Sequence, residues 1–149
     1  PMTDDRGTPL SLRPKVRQIL ETAIYVQDVE RAAQFYDRVF GFTDLVRDER
    51  VVAYDAGSAT VLLLFKRGAT LVDLVLAGGT IPYHDGAGPA HFCFAIDPET
   101  LPGWENHLEA QGVAIEARMR WELGGTSIYF RDPDDHLIEL GTPGIWRTF

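Results

Sequence analysis

The sequence predicts an α+β fold of two tandem βαβββ modules forming a curved mixed sheet around a cleft. Two observations carry this. A strand, a helix cap, an amphipathic helix and a glycine occur twice in the same order, and three short strand-like runs follow each copy. Glu21 to Gly41 spans 20 positions and His91 to Gly112 spans 21, so the copies superpose with a one-residue shift. This is an internal duplication.

A polar arm is expected over residues 1–16, the first module over 17–66, a linker over 67–88, the second module over 89–141 and a tail over 142–149. Gln18 to Val26 is rich in β-branched and aromatic residues and reads as a strand ending at the acidic cap Asp28. Val29, Ala32, Ala33, Tyr36 and Phe40 then form one apolar helical stripe, and Gly41 sits where a C-terminal cap belongs. Strands follow over Thr43 to Arg47, Arg50 to Asp55 and Ala59 to Phe65. The glycine-rich stretch Lys66 to Gly88 reads as a long functional loop. Ala90 to Ile96 is the second entry strand, and Asp97-Pro98 opens a helix running through Leu101, Trp104 and Leu108 to Gln111. The last strands fall at Val113 to Arg118, Thr126 to Arg131 and His136 to Gly141, with Asp132 to Asp135 as a solvated acidic turn.

A chain of 149 residues, 45% hydrophobic and 24% charged, has the composition of a globular domain with a sizeable core. Its formal charge of -8 disfavours nucleic acid and anionic lipid as partners. No apolar run approaches the roughly 20 residues of a membrane span. The polar opening segment and the single Cys93 point to a reducing, cytoplasmic setting.

Equivalent strands of two such modules can face one cleft, so polar residues at matched strand positions are candidates for chemistry. His91 lies near the start of a first strand and Glu139 in the middle of a last strand, both among apolar neighbours. The position matching His91 is Glu21, whereas the position matching Glu139 falls at about Leu63. A buried carboxylate or imidazole without a partner costs several kcal/mol, and a divalent cation bound by Glu21, His91 and Glu139 would satisfy all three. Three protein ligands leave open positions for water and substrate. Singly, each residue also has a plainer role: a core histidine, a solvated edge carboxylate, and an ion pair of Glu139 with Arg131 or Arg118.

The stretch ETAIYVQDVERAAQFYDRVFGF, the segment GPAHFCFAID and the closing GGTSIYFRDPDDHLIEL resemble the vicinal oxygen chelate superfamily over roughly Gln18 to Gly141. That superfamily contains glyoxalase I, extradiol dioxygenases, methylmalonyl-CoA epimerase, fosfomycin resistance enzymes and bleomycin-binding proteins. The resemblance implies metal ligation by Glu21, His91 and Glu139, with Glu21 standing where relatives commonly carry His or Gln. It implies an isomerase, lyase or ring-cleaving dioxygenase whose small oxygenated substrate chelates the ion, with a metal-free sequestering protein as the alternative. The donor set suits Fe(II), Mn, Zn, Co or Mg.

Strand alternation puts Ala23 and Tyr25 on the face of Glu21, and Cys93 and Ala95 on the face of His91. Glu21 can act as ligand or as general base. His84, just before the His91 strand, can serve as a catalytic proton shuttle or stand as an exposed loop histidine. Tyr25, Arg118 and Trp121 are candidate substrate contacts. His107 and His136 read as solvated. Trp121, Trp146 and Phe149 need cover, and the resemblance implies a homodimer that provides it.

Overall fold

The computed structural model describes residues 1–149 and contains both βαβββ modules. In the first, β1 (Glu21–Val26), α1 (Val29–Phe40), β2 (Thr43–Arg47), β3 (Val51–Gly57) and β4 (Thr60–Lys66) form a sheet ordered β1-β4-β3-β2. The linker, expected as loop, contains a hairpin of β5 (Leu74–Leu76) and β6 (Gly79–Ile81). In the second, β7 (His91–Ala95), α2 (Leu101–Ala110), β8 (Ala117–Arg120), β9 (Thr126–Arg131) and β10 (Leu137–Gly141) form a sheet ordered β7-β10-β9-β8. The order is the same in both modules, with the first strand parallel to the last and the other pairs antiparallel.

Helix α1 forms where its caps and stripe place it. The Asp28 carboxylate accepts from the Arg31 N–H at 3.1 Å, and Gly41 ends the helix at φ +65. Val29, Ala32, Ala33, Tyr36 and Val39 are buried on its inner face. Helix α2 differs from expectation at its start. A 3-10 turn over Pro98–Thr100 precedes it and the Asp97 side chain makes no capping bond, so the regular helix begins at Leu101.

The helix-bearing sides of the two modules share one core. Ile24, Tyr36, Leu62 and Leu64 pack in the same cluster as Leu108, Ile128, Phe130 and Ile138, and Phe40 touches Phe94, Trp104 and Phe130 across the junction. Burying such side chains stabilises by about 1.5–3 kcal/mol each, so the junction is a core and not a linker contact.

Polar bonds lock this junction, and they correct the solvated reading of the acidic turn and of two histidines. Asp132 is only 4% exposed and accepts the Tyr36 hydroxyl at 2.8 Å as well as the His136 and Asp134 amides. His136 is 2% exposed, and its Nδ1 accepts the Ala90 amide at 2.8 Å. Nε2 therefore carries the proton and donates it to the Tyr25 carbonyl at 2.8 Å. The His107 ring donates to the Val39 carbonyl at 2.9 Å. Burial and the adjacent Asp132 raise the Tyr36 phenol well above its usual range, which keeps it a donor.

Asp132→Ala leaves the Tyr36 hydroxyl buried without a partner and should destabilise the chain by about 3 kcal/mol, more than Tyr36→Phe at about 1–2 kcal/mol. Urea unfolding checks this. Equal and negligible losses would show that the core alone holds the modules together.

Candidate functional site

The shared core occupies one face of each sheet and leaves the other face open. On β1 the open face carries Glu21, Ala23 and Tyr25, and on β7 it carries His91, Cys93 and Ala95. Parallel pairing sets Glu21 opposite Val61 in one module and His91 opposite Leu137 in the other. Leu63 and Glu139, two residues further on, therefore occupy equivalent positions, as the repeat predicts.

In the second module, His91 Nε2 and Glu139 Oε1 lie 3.2 Å apart. His91 Nδ1 lies 2.9 Å from the Leu137 carbonyl, which can only accept, so Nδ1 carries a proton. Nε2 and Oε1 then present lone pairs to each other unless a second proton or a cation lies between them. Glu139 is 6% exposed, and its other oxygen accepts the Ser127 hydroxyl at 2.5 Å. A divalent cation fits this donor set, because it can take the place a second proton would hold between two lone pairs and would neutralise a buried carboxylate.

The pair lies in a cleft of about 560 Å³ walled by Phe92, Trp121, Tyr129, Ile145, Trp146 and Phe149. The tail reaches this cleft because the Gly125 amide donates to the Gly144 carbonyl at 3.1 Å. Partial burial and then the Glu139 carboxylate push the Cys93 thiol up to about 12, so it remains protonated at neutral pH and is a poor nucleophile. The same two causes raise the Tyr129 phenol.

Glu21 is exposed on the other sheet, and no three His, Cys, Asp or Glu side chains of one chain are placed together to hold a metal ion. The three expected ligands thus appear as a pair plus one. Tyr25 and His84, separate candidates in the sequence, meet: the phenol oxygen lies 2.6 Å from His84 Nδ1. Phe65 packs against both rings, and Thr70 anchors the histidine by bonding its carbonyl and accepting its amide. This pair shares a strand face with Glu21, at the far end of β1.

Arg118 does not reach the cleft. It pairs across β8 and β9 with the core residue Ile128, and its guanidinium meets Glu105 of α2 at 3.4 Å. The expected strand over Val113 to Arg118 lies instead at Ala117–Arg120, and Trp121, one step beyond, lines the cleft. Ser127, which bonds Glu139, lies outside the candidates the sequence offers. Its signal was its place two residues before Tyr129, on the same strand face.

Paired βαβββ modules, with a histidine and a glutamate at matched strand positions on an open face, define a chelate-type fold. The model of the Glyoxalase/Bleomycin resistance protein/Dioxygenase superfamily matches residues 18–140, and the chain belongs to that superfamily, the vicinal oxygen chelate group. It is 31% identical to the metallothiol transferase FosB of Bacillus licheniformis over 133 residues, covering 89% of this chain and 79% of the relative. It is 29% identical to FosB of Shouchella clausii over 119 residues, covering 78% and 74%. The lactoylglutathione lyase structure from Agrobacterium tumefaciens superposes with a TM-score of 0.80 at 32% identity, covering 90% of this chain and 99% of that one. No helix here is long and apolar enough to cross a membrane.

Gly86 lies against the Tyr25 ring, where an added Cβ would sit 2.5 Å from the ring carbon Cδ2. Gly86→Ala should cost about 1–3 kcal/mol by displacing the loop that holds His84. Limited proteolysis should cut the 67–88 segment faster in this variant, and an unchanged cleavage rate would mean that the loop is held elsewhere.

Proposed function

We propose that this chain is a divalent-metal-dependent enzyme of the glyoxalase and metallothiol transferase type, acting on a small oxygenated substrate that chelates the ion. The observation that carries this reading is the His91 Nε2 to Glu139 Oε1 approach at 3.2 Å, with the other imidazole nitrogen and the other carboxylate oxygen already engaged. His91 and Glu139 hold the ion, and Glu21 completes the set. A bound divalent ion supplies Lewis acidity that stabilises negative charge on substrate oxygens. Two carboxylates neutralise it, which makes the site a milder Lewis acid than one with a single carboxylate.

The chain's own groups do the rest. Trp121, Tyr129, Trp146 and Phe149 exclude water and orient the apolar part of the substrate. Tyr25 and His84 can pass a proton along their 2.6 Å contact to a group bound at that end of the β1 wall. The relatives at 31% and 32% identity carry transferase and lyase names, which favours those reactions over ring cleavage.

The open faces also favour assembly. Val46, on the open face through its pairing with Ala53, is 48% exposed in the first module, and Trp146 is 71% exposed beside the cleft. A homodimer that sets the Glu21 face of one copy against the cleft of the other covers this surface and brings the third ligand to the other two.

His91→Ala should lower metal affinity by more than the roughly 10–100-fold that loss of a supporting group costs. Elemental analysis showing equal metal in wild type and variant would sink the assignment, and a wild type that binds none favours the metal-free sequestering alternative.

Assembly and Glu21 are tested together. Sedimentation should give twice the 16.6 kDa chain mass, and Glu21→Gln should keep the dimer while weakening its hold on a hard cation. A monomer at micromolar concentration, or a Glu21→Gln protein with wild-type affinity, would remove Glu21 from the ligand set. Loss of turnover at full metal occupancy would instead make Glu21 the general base.

A further inference from the structure

Glu139 is held by a chain of hydrogen bonds that runs in one direction. The Trp121 indole can only donate, and its Nε1–H reaches Ser127 Oγ at 2.8 Å. Ser127, fully buried, has one hydroxyl proton, which it gives to Glu139 Oε2 at 2.5 Å. The indole occupies one lone pair of the hydroxyl and so turns its proton toward the carboxylate. Oε2 is thereby capped inside the protein, and Oε1 alone faces His91 Nε2.

We propose that Trp121 and Ser127 are positioning residues that restrict Glu139 to a single coordinating oxygen. This rests on the reading of His91 and Glu139 as cation ligands. A free carboxylate can rotate to chelate through both oxygens and use up a coordination position. One held at Oε2 by a charge-assisted bond cannot rotate without stranding a buried hydroxyl. The device thus conserves an open position for substrate oxygen. Core packing does not require it: Ser127, on the Tyr129 face of β9, and Trp121, just beyond β8, lie on the cleft side, opposite the β9 face that carries Ile128 and Phe130.

Co(II) titration of the full chain tests this, because Co(II) absorption reports coordination number as well as affinity. Ser127→Ala should raise the Co(II) Kd by about 10–100-fold and weaken the visible bands as the carboxylate takes a second position. Trp121→Phe keeps an aromatic ring but removes the N–H, and should shift the spectrum in the same direction with a smaller change in Kd. Wild-type Kd and spectrum in both variants overturn the proposal. If Ser127→Ala fails to fold, Trp121→Phe decides alone. A wild type that takes up no Co(II) overturns the cation reading itself, and this is seen before any variant is compared.

Discussion

The buried Asp132 carboxylate is the constraint on which the architecture turns. It accepts a phenol from α1 of the first module and two amides of its own turn, while His136, at the end of that turn, bonds the Tyr25 carbonyl on β1. A carboxylate this enclosed is costly unless its acceptor sites are filled, and burial does raise its pKa above the usual carboxylate value despite those bonds. The two modules therefore dock in one way, helix side to helix side. A packing that buried Tyr36 away from Asp132 would leave the hydroxyl without this acceptor. The open sheet faces follow from that choice, because an apolar face used in the shared core cannot also line a cleft.

The same docking explains why the candidate ligands divide as they do. His91 and Glu139 belong to adjacent strands of one sheet and are brought together by its ladder. Glu21 belongs to the other sheet, on a face that the core does not touch. The repeat equates Glu21 with His91 and Leu63 with Glu139, so each module could in principle build half a site. Only the second carries both donors.

Much of this was legible in the sequence because it is periodic. The duplication is a repeat of 70 positions from Glu21 to His91, the α1 stripe follows the 3.6-residue helical period between its Asp28 and Gly41 caps, and the facing of Glu21 with Tyr25 follows the strand period of 2. What could not be read depends on contacts distant in sequence. Asp132 and His136 sit in a stretch whose local composition marks an exposed turn, and only docking of the first module buries them. Tyr25 and His84 are 59 residues apart, and the linker that joins them has no period. Arg118 lies away from the cleft because the β8 strand starts later than its residues suggest. In a strand, the side of the sheet is decided by register, and register is set by pairing with Tyr129 and Ile128.

The asymmetry between the halves has a physical consequence for binding. In the second module the carboxylate is 6% exposed, one of its oxygens is engaged by Ser127, and its histidine is oriented by the Leu137 carbonyl, so little side-chain entropy remains to be lost when a cation arrives. Glu21 is exposed and its carboxylate makes no hydrogen bond within the chain, so it would give up rotamer freedom on binding a cation. On the proposed reading, His91 and Glu139 would set the position of an ion and the exposed Glu21 would adjust to it.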